Sequence, residues 1–326
     1  MSHALLEISG FSLRRGGNTI LDEVGLSLES GRTLGLLGES GAGKSTLAMA
    51  IIGLLQAPEA ELNGSIRFAG EELVGLAEPR YQALRGNRIG LVFQDATAAL
   101  DPCFSIGAQL CEPLRRHLGL SRTDAIERAV ALLESVGMPE ARARLASYPH
   151  QLSGGMQQRV MISMALACNP QLLIADEPTS ALDVTIQAQI MELILGQVRA
   201  LGSSAIFVLH DLALASQVCD DIAVLYAGQI VEVGTAERVL GHPVHPYTVG
   251  LRSCVVELDS HELQPLAGSV PAAGEMATGC CHFVSRCPHA GPRCAIERPP
   301  LVPCEGRQIA CWLVAGGTAI AGSLTS

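Results

Sequence analysis

The sequence predicts an α/β fold: a largely parallel sheet carrying a helical insertion. Three observations lead there. Short apolar runs ending in glycine or a polar residue, TLGLLG (33–38), RIGLVFQ (88–94), QLLIAD (171–176) and SAIFVLH (204–210), read as buried strands. Helical patterns lie between them, and strands alternating with helices build parallel sheets. From about 96 to 165 the pattern is helical throughout, with AIERAVALLESVG (125–137) amphipathic at a 3.6-residue period.

Taken in chain order, LLEISGF (5–11) is a strand, Arg15-Gly16-Gly17-Asn18 a turn, and 19–28 a second strand. TLGLLG follows as a buried strand, and a helix starts at Lys44 and runs through LAMAIIGLL. After the strand at 88–94 comes the helical region, then the strand at 171–176, a helix over 184–200 and the strand at 204–210. DIAVLYAGQIVEVG (221–234) reads as a hairpin turning at Ala227-Gly228. Beyond about 241 regular order weakens: GHPVHPYTVGL leads into the loop-like LAGSVPAAGEMATG (266–279), and the small residues VAGGTAIAGSLTS end the sequence.

The composition narrows the function. The net charge is −10, which argues against general affinity for nucleic acid or an anionic membrane surface, since both reward clustered positive charge. MSHALLEISG carries neither a basic start nor a long apolar run, so no secretory leader is expected, and no stretch has the length of an apolar membrane span. A cytosolic protein is expected, in which structural disulfides are rare. Of 11 cysteines, five are scattered through the first 254 residues and six crowd between 280 and 311.

Gly38-Glu39-Ser40-Gly41-Ala42-Gly43-Lys44-Ser45 fits G-x-x-x-x-G-K-[ST] between a strand and a helix, the setting a phosphate loop requires. Its glycines let the backbone curl so that successive N–H groups point at phosphate oxygens, and the following helix adds its N-terminal dipole. Lys44 would reach the β- and γ-phosphates, Ser45 would offer its hydroxyl to Mg²⁺, and Thr46 stands where an α-phosphate contact is expected. Lys44 is the only lysine beside 21 arginines. A compact ammonium fits a ring of N–H groups around phosphate better than a planar fork does. The loop implies a P-loop NTPase core and a nucleoside triphosphate.

QLSGGMQQR (151–159) places two glycines after a serine and opens a helix at about Met156, a second anion-ready N-terminus. LLIADEP (172–178) ends a strand with paired acids: Asp176 is placed to hold Mg²⁺ through water, and Glu177 to polarise the attacking water. SALD (180–183) follows, His210 closes the next strand, and Gln94 closes the strand before the helical region.

In order and spacing these motifs resemble the ATP-binding subunit of an ABC transporter over residues 5 to about 240. The resemblance makes GESGAGKST the Walker A loop, Gln94 the Q-loop glutamine and LSGGM the signature. LLIADE becomes the Walker B strand with its catalytic glutamate, SALD the D-loop with Asp183, and His210 the switch histidine. It implies a RecA-like core (1–95 and 166–240), a helical subdomain (96–165) and a cysteine-rich extension (241–326). It further implies a head-to-tail dimer with a second such subunit, the same chain or a different one, sandwiching two ATP molecules. Ser153, Gly154 and Gly155 of one subunit would face the γ-phosphate bound on the other. Gln94 would join Ser45 and Asp176 at Mg²⁺ and link the nucleotide to the helical region, which docks on two transmembrane permease subunits. Where the family places an aromatic residue against adenine, this sequence has Arg15, whose guanidinium can also stack on a base.

The tail narrows the family. HPVHPYTVGL (242–251) and FQDATAALDP (93–102) resemble the peptide and nickel importer group. So does the run through Gly279, Cys281, Phe283, Arg286, Cys287, Pro288 and Cys294 to EGRQIAC (305–311). Cys281, Cys287, Cys294 and Cys311 match its four cysteine positions; Cys280 and Cys304 are extra. Four thiolates suit an iron–sulfur cluster or zinc, and the resemblance favours a [4Fe–4S] cluster. The expected function is a peripheral ATPase on the cytoplasmic face of the inner membrane, energising import of di- or oligopeptides brought by an extracytoplasmic binding protein. Nickel or a metal–metallophore complex is the alternative cargo. A soluble ABC ATPase of DNA repair or translation is the rival class, against which stand the single ATPase unit and the negative charge.

Overall fold

The computed structural model describes residues 4–56, 58–179, 184–254, 266, 268–271 and 279–315. The D-loop residues Ser180, Ala181, Leu182 and Asp183 therefore lie outside the described residues. The chain forms two compact units, the first from 1–75 and 208–326 and the second from 76–207.

In the first unit, β1 (Ala4–Arg15) and β2 (Asn18–Glu29) form a hairpin closed by Gly16 and Gly17, with φ of 56° and 80°. β4 (Glu61–Phe68) pairs antiparallel with β1, and the two-residue β5 (Glu71–Glu72) extends β4, so the sheet order is β2-β1-β4-β5. Alternation along β1 puts Leu6, Ile8, Phe11 and Leu13 in the core. This sheet is wholly antiparallel, which departs from the mostly parallel expectation.

The second array of that unit runs β11-β12-β10-β9-β3. β3 (Thr33–Leu37) is buried at every position and lies parallel to β9 (Asp221–Tyr226). Two contacts fix that register from below: Arg32 donates twice to the Asp221 carboxylate at 2.7 and 2.8 Å, and the Thr33 N–H donates to Asp220 at 2.8 Å. β9 turns into β10 (Gln229–Thr235) through Ala227 and Gly228, both at positive φ, which matches the expected hairpin. The helix after β3 spans Lys44–Ile51, ending before Gly53 and so shorter than the sequence suggested.

Among its described residues the extension carries regular elements that its composition did not announce. Pro246–Ser253 is helical, and β11 (Val302–Cys304) with β12 (Arg307–Ile309) forms a hairpin whose second strand pairs with β10. At that junction Arg307 donates to Glu232 at 3.0 Å, with 3% and 0% of the two side chains exposed. Arg298 anchors the same segment by donating to the Asp22 carbonyl at 2.8 Å.

In the second unit β6 (Ile89–Val92) runs parallel beside β7 (Leu172–Asp176), and β8 (Ser204–Val208) lies on the other side of β7. Helices at Ala96–Ala99, Ile106–Leu118, Arg122–Ser135, Ala141–Arg144 and Gly154–Leu166 fill the region read as helical. Ser105 and Ser121 start the two long ones, accepting from Ala108 N and Asp124 N. Leu110, Leu114, Ala125, Ala129 and Leu133 are buried.

Candidate functional site

The phosphate loop occupies the first unit. Gly38 has φ of 149°, and a Cβ there would sit 2.1 Å from the Leu225 carbonyl oxygen. Gly43 has φ of 103°, and a Cβ there would meet Leu21 Cδ2 at 2.8 Å. Neither position admits a side chain without moving backbone or core, so the curl of the loop is built in. Gly43 precedes the helix starting at Lys44, and no side chain caps that end. The N-terminal end of that helix is where the helix dipole favours an anion. Lys44 is 4% exposed, and its Nζ donates to the Gly38 and Glu39 carbonyls at 2.8 and 3.0 Å. Ser45 and Thr46 follow it, both half-buried, while Ser40 and Gly41 are exposed and Ala42 is buried.

Arg15 ends β1, exposed and opposite Asn18. His210 follows β8 and is exposed. Its position is set by Leu209, whose N–H donates to the Leu36 carbonyl at 3.1 Å, and by Asp211, which caps the helix Leu212–Val218.

In the second unit the acids stand at the end of β7 as expected: Asp176 is its buried last residue and Glu177 is half-buried. Glu177 has φ of 46°, a left-handed backbone in a residue other than glycine. Such conformations cost energy and collect at functional sites. Gln94 Nε2 donates to Glu177 Oε2 at 3.1 Å, so residues 83 positions apart in sequence meet. A carboxylate beside an amide donor at a strand end is suited to accept a proton from, and orient, a water molecule.

The signature segment begins its helix earlier than expected. The helix spans Gly154–Leu166, and Ser153 rather than Met156 marks the start; Ser153 Oγ accepts from Met156 N at 3.4 Å. Ser153 and Gly154 are exposed and Gly155 is half-exposed, leaving this N-terminus open to a ligand. Two glutamines that the sequence reading passed over tie the segment down. Gln157 Nε2 donates to Pro149 O at 2.8 Å, and its Oε1 accepts from Thr97 Oγ1 at 2.8 Å, just past Gln94. Gln158 Nε2 donates to Pro178 O, beside Glu177. The QQ pair thus joins the signature helix to both the Gln94 and Glu177 segments. Paired amides on the buried face of an otherwise apolar helix were the signal available in the sequence.

Cys281, Cys287, Cys294 and Cys311 border one narrow cavity of about 20 Å³, walled by Phe283, Pro246, Pro299, Trp312 and Leu313 among others. Cys280 and Cys304 do not line it. Burial, and then its neighbours Cys294, Cys311 and Cys287, push the Cys281 thiol up to about 12; burial also raises Cys287 and Cys311. Among the described residues no group of three or more His, Cys, Asp or Glu side chains is gathered tightly enough to hold a single metal ion. The four thiols share that lining with His245 and His289, and soft sulfur donors in a mostly apolar wall suit a thiolate-ligated group. No described helix is long and apolar enough to cross a membrane.

Known proteins resemble this chain along most of its length. Residues 21–180 match the ABC transporter family, and residues 231–294 match the oligopeptide/dipeptide transporter C-terminal region. The oligopeptide transport ATP-binding protein OppD of Salmonella typhimurium is 43% identical over 317 residues, 95% of this chain and 94% of that one. The dipeptide transport ATP-binding protein DppD of Escherichia coli K12 is 41% identical over 315 residues, 94% and 96% of the two chains. Among solved structures, a dimeric ATP-binding cassette in a post-hydrolysis state bound to ADP and Pi has a TM-score of 0.63 at 27% identity, covering 71% of this chain and 98% of its own. The cbiO1 protein of Clostridium perfringens, part of the transporter complex cbiONQ, has a TM-score of 0.64 at 25% identity, covering 76% and 95%.

Proposed function

The chain belongs to the ABC transporter family, in the group of oligopeptide and dipeptide ATP-binding proteins, and from that premise we propose that it hydrolyses ATP to energise import of di- or oligopeptides. The observation that carries this reading is the reach of the likeness, which runs from the phosphate loop into the cysteine tail over 95% of the chain. A nickel or metallophore importer is the alternative cargo reading, resting on the HPVHPYTVGL and FQDATAALDP segments.

In this mechanism the backbone N–H groups of 38–46 and Lys44 hold the β- and γ-phosphates, and Arg15 covers the adenine. Ser45, Asp176 and Gln94 are the residues that would hold Mg²⁺, which neutralises charge developing on the transferred phosphoryl group. Glu177 accepts the proton of the attacking water, kept in place by the Gln94 amide. His210 contacts the γ-phosphate, while Ser153, Gly154, Gly155 and Asp183 serve the nucleotide of a partner ATPase subunit, identical or different. The helical region 96–165 meets two transmembrane permease subunits, which puts the protein peripherally on the cytoplasmic face of the membrane; an extracytoplasmic binding protein delivers the peptide.

Glu177→Gln tests the catalytic assignment. Phosphate release should fall by about 100-fold or more, with MgATP binding retained and ATP-dependent dimers trapped. Normal turnover in that variant would remove the assignment. For the tail we propose that Cys281, Cys287, Cys294 and Cys311 hold a [4Fe–4S] cluster, a pin for a segment with little core of its own. An anaerobic preparation should be brown, absorb near 400 nm and carry iron and sulfide in equal amounts. A colourless, iron-free anaerobic preparation would rule the cluster out.

A further inference from the structure

We propose that Arg286 and Tyr247, both in the extension, are positioning residues for the phosphate loop, so that the tail sets how tightly nucleotide is held. The proposal rests on the ATPase reading above and adds a control point to it. Glu39, the second residue of the loop, is gripped at two places. Its N–H donates to Tyr247 Oη at 2.9 Å, and Tyr247 is fully buried. Its carboxylate accepts from Arg286 Nη1 at 2.8 Å and Nη2 at 3.1 Å, a two-pronged fork with only 6% of the arginine side chain exposed.

The grip is itself braced. Arg286 Nη1 also donates to Tyr226 Oη at 3.3 Å. The rings of Tyr226, Tyr247 and Phe283 pack against one another with centroids 4.6, 5.1 and 5.4 Å apart. On its inner side the Glu39 carbonyl accepts from Lys44 Nζ at 3.0 Å. The Gly38 carbonyl, in the same peptide unit as the Glu39 N–H, also accepts from Lys44 Nζ at 2.8 Å, so that unit connects the tail on one side to the phosphate-binding lysine on the other. Phe283 and Cys287, which flank Arg286, both line the thiol cavity, so the arginine is mounted on the cysteine framework.

The physical consequence is pre-organisation. A loop already fixed in its phosphate-binding curl needs less ordering when nucleotide arrives, and the difference appears as affinity. Arg286 and Tyr247 lie behind Glu39 and act through it rather than on the γ-phosphate. Their loss should weaken binding and spare the chemical step.

The test uses the full-length protein and MgATP, with Kd from calorimetry, KM and kcat from phosphate release, and thermal melting in parallel. Arg286→Gln and Tyr247→Phe should each raise Kd and KM by about five- to tenfold, with kcat within about twofold of wild type. Arg286→Gln combined with Glu39→Gln should be no worse than the weaker single variant, because both remove one contact. Arg286→Lys should recover part of the loss. Arg298→Gln, which cuts a different tail anchor, should leave Kd unchanged. Wild-type Kd and KM in Arg286→Gln and Tyr247→Phe, whether or not they melt lower, would overturn the proposal. Additive losses in the double variant would overturn it as well. A wild-type chain that binds no nucleotide would instead overturn the ATPase reading itself.

Discussion

Replacing Arg307 by methionine isolates what joins the extension to the ATPase fold. The Glu232 carboxylate is completely buried, and it accepts from Arg307 at 3.0 Å and from the His245 N–H at 3.0 Å. Arg307 Nη1 also donates to the Arg238 carbonyl at 2.9 Å. At an effective dielectric constant of about 20, opposite charges 3 Å apart attract by about 5 kcal/mol. Removing one member of a buried pair typically costs about 3–5 kcal/mol, because the other charge stays behind unpaired. Burial already outweighs the hydrogen bonds and holds the Glu232 carboxyl above the usual range. Without Arg307 it rises further and takes up a proton.

The unfolded carboxyl ionises near its ordinary value while the folded one stays protonated, so raising the pH favours unfolding of the variant. The loss should be about 3–5 kcal/mol at pH 8 and should shrink by up to about 1.4 kcal/mol for each pH unit toward 5. Urea unfolding read by the fluorescence of Trp312, the only tryptophan and itself in the tail, measures this directly. A loss below about 1 kcal/mol at pH 8, or one independent of pH, would mean that the Arg307–Glu232 pair does not hold the extension in place.

Three further outcomes are expected. Lys44→Arg should cut ATP hydrolysis by about 100-fold or more with an unchanged circular dichroism spectrum, because the bulkier fork does not fit the N–H ring. His245 accepts from the Tyr247 N–H at 3.1 Å and is fully buried, which pushes its pKa down to about 3. The unfolded imidazole protonates first as pH falls below 6.5, so wild type should lose about 2 kcal/mol between pH 7 and pH 5 that His245→Asn does not lose. Urea titrations of the two proteins at both pH values supply the comparison. Arg15→Ala should weaken ATP binding by about two- to fivefold in a fluorescence titration if the guanidinium covers adenine, and unchanged affinity would remove that role.

The parts legible in the sequence were those written locally. Apolar runs ending in glycine or a polar residue located β3, β6, β7 and β8, and Ala227-Gly228 located the β9–β10 turn. The phosphate loop was legible because its glycines serve one backbone geometry. What escaped depends on partners far along the chain. β11 and β12 are three residues each, too short for a periodic signal, and their place beside β10 rests on Arg307 meeting Glu232 across 75 residues. The left-handed backbone at Glu177 has no glycine to announce it. The signature helix begins at Gly154 although glycine is a poor helix former, because the Ser153 hydroxyl caps it, and propensity alone placed the start two residues late. The bond from Gln94 to Glu177 unites two motifs that the sequence could order but not bring together.

In the proposed function, ATP hydrolysis by this chain drives peptide across a membrane. The direct measurement is uptake of a labelled oligopeptide, and in parallel of nickel, into vesicles carrying the chain with its permease subunits and binding protein, with MgATP supplied on the cytoplasmic side. ATP-dependent peptide uptake that vanishes with Glu177→Gln is expected, with no nickel uptake. Peptide uptake that persists with Glu177→Gln in every ATPase subunit, or ATP-dependent uptake of nickel alone, would contradict it.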